Sequence, residues 1–366
     1  MRADVCVAGG GPAGLATAIA LRREGFEVAI VDCAIPPIDK ACGEGLMPAG
    51  IAALRDLGVT IPAGIGRPFK GIRFSDGCST VEAEFSLGPG LGIRRTELHR
   101  FLVQKAAEAG VVMIWGAKQV QLASRGISTG RQFVEARVIV GADGQNSSIR
   151  RQAGLHRIQS ERRRFAFRKH YRIAPWSDHV EVCWSARRQI YVTPLAEDEV
   201  CIAMVSRDRS PRLDEALADF PEIQKRLAKA ISTSSEMGAV TASRRLRCVH
   251  GSNVALVGDA SGSVDAVTGQ GLELSFKQAA AFARSLRAGD PRRYQREHEA
   301  MCGRTRAMTA LLLSLDRHPT VRRKALATLA RWPKMFQLLL DVHNSQAPGG
   351  AWPQQARLVN VHDWLM

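Results

Sequence analysis

Apolar and polar positions at the N-terminus follow the order strand, helix, strand. The pattern predicts a buried strand at 5–8, a helix at 13–23 and a second buried strand at 28–31. Gly9, Gly11 and Gly14 form a G-x-G-x-x-G turn where the first strand meets the helix, and Asp32 ends the second strand eighteen positions after Gly14. Because strand, turn, helix and acid fall in register, the pattern predicts a βαβ unit that binds a nucleotide cofactor.

Each part of this turn has a physical reason. The first glycine permits the tight turn, Gly11 lets the backbone approach a pyrophosphate, and Gly14 lets the helix pack close to the strand. The helix N-terminus, at Pro12 and Ala13, would direct its free amides and positive dipole end at the phosphates. The carboxylate of Asp32 would accept hydrogen bonds from ribose hydroxyls.

After this unit, the spacing of apolar residues alternates between a helical period and the two-residue period of strands. Helical spacing predicts helices at 48–57, after an N-cap at Thr96, as a pair within 211–235, at 272–286, and from 291 onward. Further strands are predicted at 111–115, 120–122, 134–140 and 254–257, with an Asp76-Gly77 hairpin. Residues 160–205 alternate with period two between short turns, which predicts an antiparallel sheet inserted into an α/β domain.

The first inserted strand has two unlike faces. Its alternation places one apolar set and one cationic set on opposite sides: Phe165, Phe167, Tyr171 and Ile173 against Arg168, His170 and Arg172. The apolar face is interpreted as sheet core against helices in preference to a substrate pocket. His170 has no Ser or Cys nearby in sequence, so a hydrolase triad has no support.

Charge and composition narrow the class of protein. The chain has 366 residues and a formal net charge of +16, but its arginines are spread along it, and the densest cluster, at 162–164, begins a strand. A solvated basic surface, able to attract an acidic ligand or membrane headgroups, is therefore favoured over nucleic-acid binding. No run of 18 apolar residues and no signal-peptide pattern is present, so a cytoplasmic protein is expected. The eight cysteines lack metal-ligand spacing, and no metal site is expected.

Four later segments also favour contact with a cofactor. They contain Cys42 and Gly43 in a glycine-rich loop, Arg94 and Arg95 before a helix, Asp143 and Gly144 after a strand, and a final glycine-rich set, Gly258, Asp259, Gly269, Gln270, Gly271 and Leu272. Because no second G-x-G-x-x-G followed by an acid occurs, one large cofactor touched from several segments is favoured over a separate nicotinamide-binding domain. Cys42 could instead be a small buried filler, and the two arginines a solvated pair.

Four ordered motifs resemble the flavoprotein monooxygenases of the hydroxybenzoate hydroxylase type, and more closely their branch of geranylgeranyl reductases. The motifs are GGGPAG at 9–14 with Asp32, GADGQNSSIR at 141–150, VGDASGSVDAVTGQGLELSF at 257–276, and ACGEGLMP at 41–48 with YVTPL at 191–195. The resemblance covers about the first 290 residues. It implies a Rossmann-type FAD-binding domain at 1–57, 93–155 and 245–290, an inserted substrate-binding sheet domain at 58–92 and 156–244, and a C-terminal helical region at 291–366.

By the same resemblance the cofactor is FAD, with NAD(P)H as a transient reductant. Arg95 would lie along the ribityl and pyrophosphate groups, Asp143 and Gly144 would match the second cofactor motif, and Asp259 would bind the ribityl chain. The helix start at 269–272 would face the flavin ring. Cys42 falls where reductases of this branch keep a cysteine near the flavin. No tryptophan motif or active-site lysine of flavin halogenases is present, and no catalytic residue can be assigned.

Three functions follow as hypotheses. The preferred one is a monooxygenase that inserts one oxygen atom from O₂ into a hydrophobic or phenolic small molecule. The alternative enzyme reduces a substrate double bond, with Cys42 as a candidate acid. The third is a flavoprotein that modifies or docks to a partner polypeptide through its basic surface. The C-terminal helices are expected to cap the body in preference to lying on a membrane.

Overall fold

The computed structural model describes residues 1–208 and 212–344. The strands, in chain order, are β1 (Arg2–Ala8), β2 (Val28–Val31), β3 (Gly45–Leu46), β4 (Arg67–Phe69), β5 (Gly71–Ser75), β6 (Thr80–Glu84), β7 (Gly90–Gly92), β8 (Val112–Ile114), β9 (Gln121–Ala123), β10 (Gly126–Ser128), β11 (Phe133–Gly141), β12 (Ile158–Arg172), β13 (His179–Trp184), β14 (Arg188–Ala196), β15 (Glu199–Ser206), β16 (Ile231–Ser232), β17 (Met237–Leu246), β18 (His250–Gly251) and β19 (Val254–Leu256). The α-helices are α1 (Pro12–Arg23), α2 (Pro48–Asp56), α3 (Arg95–Glu108), α4 (Ser148–Gln152), α5 (Leu213–Ala216), α6 (Pro221–Leu227), α7 (Gly271–Arg287), α8 (Pro291–Arg317), α9 (Pro319–Arg331) and α10 (Pro333–His343).

The first sheet carries the nucleotide-binding unit predicted from the N-terminal pattern. Its order is β18-β19-β11-β1-β2-β8, and β1 runs parallel to both β2 and β11. Every residue of β2 is buried, as a strand covered on both faces requires. Helix α1 packs against α3 and α7 on this sheet. The carboxyl ends of β1, β2, β11 and β19 therefore lie along one edge, where ligands of such sheets bind.

The second sheet is formed mainly by the predicted antiparallel strands. Its order is β16-β12-β15-β14-β13-β5-β6, with β17 paired along β12. Two features differ from the expectation. Strand β5 joins β13 in parallel, because the 71–84 hairpin enters from a distant part of the chain. Strand β17 is not among the predicted strands, because its threonine, serine and two arginines hide the alternation of buried positions. The three domain ranges given above stay a prediction.

The apolar face of β12 packs on helices, in agreement with the sheet-core interpretation. Tyr171 lies in one cluster with Leu213, Phe220 and Leu227 of the covering helices. The predicted helix pair within 211–235 is present but shorter, since α6 ends at Leu227 and β16 follows. Residue 211 lies outside the described residues.

The C-terminal helices cap the second sheet with one of their faces. Leu326 and Leu329 of α9 and Phe336 of α10 share an apolar cluster with Val182 and Trp184 of β13. Residues 345–366 of the predicted helical region lie outside the described part of the chain. Among the helices described, none combines the length and the apolar character needed to cross a membrane.

Two predicted helix starts are shifted in the structure. Helix α3 begins at Arg95 with Arg94 as its N-cap, so Thr96 is not the cap. Ser147 does cap α4, where its hydroxyl accepts a hydrogen bond from the amide of Arg150. Helix α7 begins at Gly271, one residue before the predicted start, with Gln270 as its N-cap.

Candidate active site

A cavity of about 740 Å³ opens along the carboxyl edge of the first sheet and extends under the second sheet. The predicted cofactor residues that line it are Gly9, Gly11, Pro12, Ala13, Asp32, Cys42, Gly43, Arg95, Asp143, Gly144, Asp259, Gly269, Gly271 and Leu272. Gly14, Gly258 and Gln270 do not line it. The fold thus brings segments that are far apart in sequence to one cavity.

The glycine turn has the geometry that its sequence predicts. Gly9 has φ +113°, and a Cβ there would lie 2.4 Å from the carbonyl oxygen of Ala142. A Cβ on Gly14 would lie 1.9 Å from the carbonyl oxygen of Gly9, so this glycine serves helix–strand packing. A Cβ on Gly11 would meet nothing within 4 Å, because that side of the turn faces the cavity. This open side is the space that a pyrophosphate would occupy.

Gly10, like Gly9 and Gly14, has no room for a side chain, although it is not one of the three glycines of the motif. A Cβ there would lie 2.1 Å from the ring of Trp115. The Gly10 carbonyl oxygen lies 2.9 Å from His99 Nε2, and its amide donates to Asp32 Oδ2 at 2.6 Å. Burial lowers the pKa of His99 below its usual value. These contacts fix the turn from behind.

Asp32 is held at the end of β2 by backbone amides. Its Oδ1 accepts from the amide of Ala34 at 2.7 Å, and its Oδ2 accepts from Gly10. Each carboxylate oxygen can accept more than one hydrogen bond, so the amides orient the group without using its capacity. The position fits the predicted ribose contact.

Two buried polar atoms on the cavity wall have no partner within the described residues. Asp143 Oδ2 accepts from the amides of Ser148 and Ile149, but Asp143 Oδ1 accepts nothing. Arg95 donates its backbone amide to Glu44, while its buried Nε has no acceptor. Buried polar groups normally have partners. An unpaired donor and an unpaired acceptor beside the open glycine turn fit a polar, anionic cofactor such as FAD.

Asp259 contributes a carboxylate at the end of β19. Its Oδ2 lies 2.7 Å from Lys40 Nζ, a residue that sequence reasoning missed. Burial alone would raise the pKa of Asp259, but Lys40, Arg95 and Arg244 lower it below its usual value. The carboxylate is therefore charged at neutral pH. Gly258 lies behind it, where a Cβ would be 2.6 Å from the Cβ of Ala13.

Helix α7 begins on the cavity wall. Gly269 is left-handed, with φ +66°, and Gly271 and Leu272 follow on the lining. The first amides of a helix lack intrahelical acceptors and carry the positive end of its dipole. The side chain of Gln270 turns away instead and donates to the carbonyl oxygen of His343 at 3.0 Å. The Gln270 side chain therefore attaches α10 to this loop, and its predicted cofactor contact stays a prediction.

The loop that carries Cys42 is fixed on three sides. The Gly43 carbonyl oxygen accepts from Thr193 Oγ1 at 2.7 Å, and the Cys42 carbonyl oxygen accepts from Cys201 Sγ at 3.8 Å. Glu44 follows with φ +58°, is 3% exposed, and lies 2.6 Å from His170 Nε2. The Cys42 thiol lies on the cavity wall and accepts from the amide of Glu44. Cys42 is half-buried, and its role, as a small filler or as a cofactor contact, stays a prediction.

Two of the three residues on the predicted cationic face of β12, Arg168 and His170, are buried, whereas Arg172 is exposed. Arg168 is 2% exposed and donates to Asp39 Oδ1 at 2.7 Å. His170 lies between Glu44 and Ser234 Oγ, the latter at 2.9 Å, so it does have a serine partner distant in sequence. Neither His170 nor Ser234 lines the cavity. The arrangement positions the Cys42 loop and does not form a hydrolase site.

The same cluster is the one candidate for a metal ion among the described residues. Ligand atoms of Glu44, His170 and Cys201 lie within 4.8 Å of one another. Glu44 is already hydrogen-bonded to His170, and the Arg168 guanidinium lies 3.1 Å from His170 Nδ1. A guanidinium at this distance opposes a cation. The cluster is therefore explained by its own hydrogen bonds.

The far part of the cavity is apolar. It is lined by side chains of the second sheet and of the C-terminal helices, among them Ile72, Phe74, Val182, Leu312, Leu329 and Phe336. The Tyr191 hydroxyl, on this wall, donates to Gln189 Oε1 at 2.9 Å, and burial raises the pKa of Tyr191 well above its usual value. A hydrophobic molecule that enters this region would therefore leave few polar groups of the wall without a hydrogen-bond partner.

Comparison with known proteins identifies the cofactor domain. The FAD binding domain family matches residues 2–289. The chain belongs to this family. An FAD in this cavity would fit the glycine turn, the acid after β2 and the unpaired polar atoms. The chain is an FAD-dependent oxidoreductase by family.

Relatives in this family differ in chemistry. A menaquinone reductase from Mycobacterium tuberculosis is 28% identical over 322 residues, covering 79% of this chain and 77% of that protein. A digeranylgeranylglycerophospholipid reductase from Methanopyrus kandleri is 26% identical over 320 residues, covering 75% and 74%. A 6-methylpretetramide 4-monooxygenase from Streptomyces rimosus is 32% identical over 173 residues, but covers 42% of this chain and 41% of its own.

A solved structure supports the fold independently. A flavoprotein/dehydrogenase from Cytophaga hutchinsonii has a TM-score of 0.81, with 19% sequence identity, and the match covers 93% of this chain and 92% of that chain. The mixed architecture of a parallel-sheet domain, a largely antiparallel second sheet and C-terminal helices is therefore shared.

Proposed function

We propose that the protein is an NAD(P)H-dependent monooxygenase that binds FAD and inserts one oxygen atom from O₂ into a hydrophobic or phenolic small molecule. The observation that carries the proposal is the continuity of the polar cofactor cleft with the apolar region under the second sheet. When bound, FAD would supply the redox chemistry, taking electrons from NAD(P)H. The chain's own task is then to bind, orient and exclude water.

The proposed binding roles follow from the positions of the side chains. The open side of Gly11 and the start of α1 would hold the pyrophosphate, and Asp32 the adenosine ribose. Arg95 and Asp143 would use their unpaired atoms toward the middle of the cofactor. The start of α7 would face the ring system, where its dipole favours negative charge.

Oxygen insertion is the preferred reaction because it does not require a proton donor on the apolar wall of the cavity. The apolar region offers few free proton donors, since the Tyr191 hydroxyl is already bonded to Gln189 and Asp265 to Arg164. A hydrophobic wall that excludes water is sufficient for this chemistry, whereas hydrogenation of a double bond also needs a proton donor beside the substrate.

Reduction of a substrate double bond is the second candidate, and the Cys42 thiol on the cavity wall favours it. Two relatives that each match about three quarters of the chain also carry the name reductase. In this case Cys42 would donate the proton that completes the reduction.

Oxygen dependence separates the two candidates. The FAD-loaded protein is supplied with NADPH or NADH and, in parallel, with a long-chain alkylphenol or with geranylgeraniol. Monooxygenation predicts alkylphenol-dependent O₂ consumption and incorporation of one atom from ¹⁸O₂ into the product. Turnover that persists without O₂ and that falls in Cys42→Ser would overturn it in favour of the reductase. A protein that cannot be loaded with FAD would overturn both.

A further inference from the structure

The segment from Arg317 to Leu340 contains cations but no acid. Its charged residues are Arg317, Arg322, Arg323, Lys324, Arg331 and Lys334, and no Asp or Glu occurs between Asp316 and Asp341. The segment covers α9 and most of α10. Its charge is therefore concentrated, unlike the arginines of the rest of the chain.

Most of these cations are exposed and have no ion pair among the residues that the structure describes. Arg322 is the exception, because it is buried and donates to the carbonyl oxygen of Ser185 at 3.1 Å. The exposed cations are Arg317, Arg323, Lys324, Arg331 and Lys334. An exposed cation that no carboxylate neutralises remains available to an anionic partner.

Large apolar side chains are exposed on the same helices. Val321 is 53% exposed, and it lies on one stripe of α9 with Lys324 and Arg331, at spacings of three and ten residues. Trp332, between α9 and α10, is 63% exposed. A tryptophan beside cations is the combination found where helices lie in a membrane interface, because the ring is apolar and its N–H is polar.

The cavity opens on these helices. Leu311 of α8 and Leu339 of α10 both line the cavity, yet they are 49% and 38% exposed. Leu312, Leu329 and Phe336 continue the apolar wall inward from them. Trp332 caps the start of α10, and Leu339 lies two turns further along the same helix. The exposed tryptophan and the apolar opening therefore belong to one short segment of the chain.

We propose that this face of α9 and α10 docks on an anionic lipid bilayer, and that a membrane-resident substrate passes its hydrocarbon chain into the cavity between Leu311 and Leu339. The proposal rests on the proposed function in one respect, namely that the apolar region holds the substrate. Each Lys or Arg near an anionic leaflet contributes about 1 kcal/mol, so the exposed cations together suffice for reversible docking. A nucleic acid would match the charge but not the exposed Val321, Leu311 and Leu339.

Vesicle flotation of the full-length, FAD-loaded protein tests the docking without using turnover. Vesicles of phosphatidylcholine alone are compared with vesicles that also contain phosphatidylglycerol. We expect binding to be about tenfold or more stronger on the anionic vesicles and to weaken with added salt. The variant R323E/K324E/R331E should lose this preference, and W332S should weaken binding several-fold.

The matched control is R2E/R100E/K118E, which makes the same charge change at exposed positions of the first sheet and its flanking segments. It should retain vesicle binding. Equal loss in both triple variants, or no preference for anionic vesicles, would overturn the proposal. Binding of a short single-stranded oligonucleotide through the same three residues, without vesicle binding, would also overturn it. We expect all of these variants to turn over a soluble alkylphenol at the wild-type rate. Failure of docking is therefore distinguishable from failure of the proposed function.

Discussion

Substituting Gly11 and Gly14 separately by alanine distinguishes cofactor binding from helix–strand packing. In Gly11→Ala the new methyl group enters open space on the cavity side, and the φ of −70° suits any residue. We expect FAD to bind about tenfold more weakly, with the unfolding free energy of the FAD-free protein within about 0.5 kcal/mol of wild type. In Gly14→Ala the methyl group would lie 1.9 Å from a carbonyl oxygen, so a loss of about 2 kcal/mol or more is expected.

Flavin fluorescence titration and urea unfolding measure the two effects on the same samples. Equal FAD affinity in Gly11→Ala and wild type would contradict a phosphate position over this residue. A Gly14→Ala variant as stable as wild type would contradict the close helix–strand packing.

Glu44 is predicted to control the Cys42 loop through His170. Glu44→Gln keeps the size of the side chain but removes the charge from a hydrogen bond of 2.6 Å at a 3% exposed position. We expect the unfolding free energy to fall by about 2 to 3 kcal/mol and the visible spectrum of bound FAD to change. Glu197→Gln is the control, because that side chain is 93% exposed. If the two variants match in stability and spectrum, Glu44 does not position the loop.

Residues of the glycine turn could be predicted because their constraint is local. Gly9, Gly11, Gly14 and Asp32 are brought together by one βαβ unit, so spacing alone relates them. Glu44 could not be predicted in the same way, because His170 lies 126 residues away and the contact depends on two sheets meeting. The glycines on both sides of Glu44 indicate a tight loop, but the sequence does not show that Glu44 itself has a left-handed backbone.

At the scale of elements, the contact between α8 and the turn after β19 predicts a dependence of stability on pH. His298 of α8 is buried and lies 2.8 Å from Ser261 Oγ. Burial, helped by Arg306, lowers the pKa of His298 from 6.5 to about 4. The folded-state pKa is below the unfolded value, so the unfolded chain takes up the proton first as the pH falls. The contribution of His298 is therefore complete above pH 6.5 and is lost progressively down to about pH 4.

His298→Gln removes this titration and keeps a hydrogen-bonding side chain. Between about pH 7.5 and about pH 5, we expect wild type to lose about 2 kcal/mol more unfolding free energy than the variant. Urea unfolding at the two pH values measures the difference. Parallel losses in both proteins would mean that His298 is not held neutral.

The bounds of helices and strands were predicted best where the local pattern of apolar residues is unbroken. Strand β2 and helix α1 have unbroken local patterns, and their predicted bounds differ from the structure by at most one residue. The parallel pairing of β5 with β13 was missed because pairing between strands about a hundred residues apart leaves no mark on either period.

At the scale of the whole molecule, one buried network joins the second sheet and the loop before α7 to helix α8. Asp316 of α8 is 4% exposed, accepts from Gln189 Nε2 at 2.9 Å, and pairs with Arg207 and Arg164. Arg164 Nη1 also lies 3.0 Å from Asp265, in the loop before α7. Asp316→Asn leaves the buried guanidinium of Arg164 with one carboxylate instead of two, so we expect a loss of about 3 kcal/mol. The loss should also loosen α8 to α10, which makes trypsin cleavage within them faster.

Asp198→Asn is the control for this network, because its side chain is 73% exposed and its one ion pair, to Arg172, spans 4.0 Å. It should change the unfolding free energy by no more than about 0.5 kcal/mol. The two variants differ in a second respect. Since α8 to α10 form the outer wall of the apolar region, Asp316→Asn should weaken retention of a hydrophobic ligand. FAD should still bind, because its proposed site is at the glycine turn. Loss of FAD and of ligand in equal measure would show that the two parts of the cavity are not separately supported.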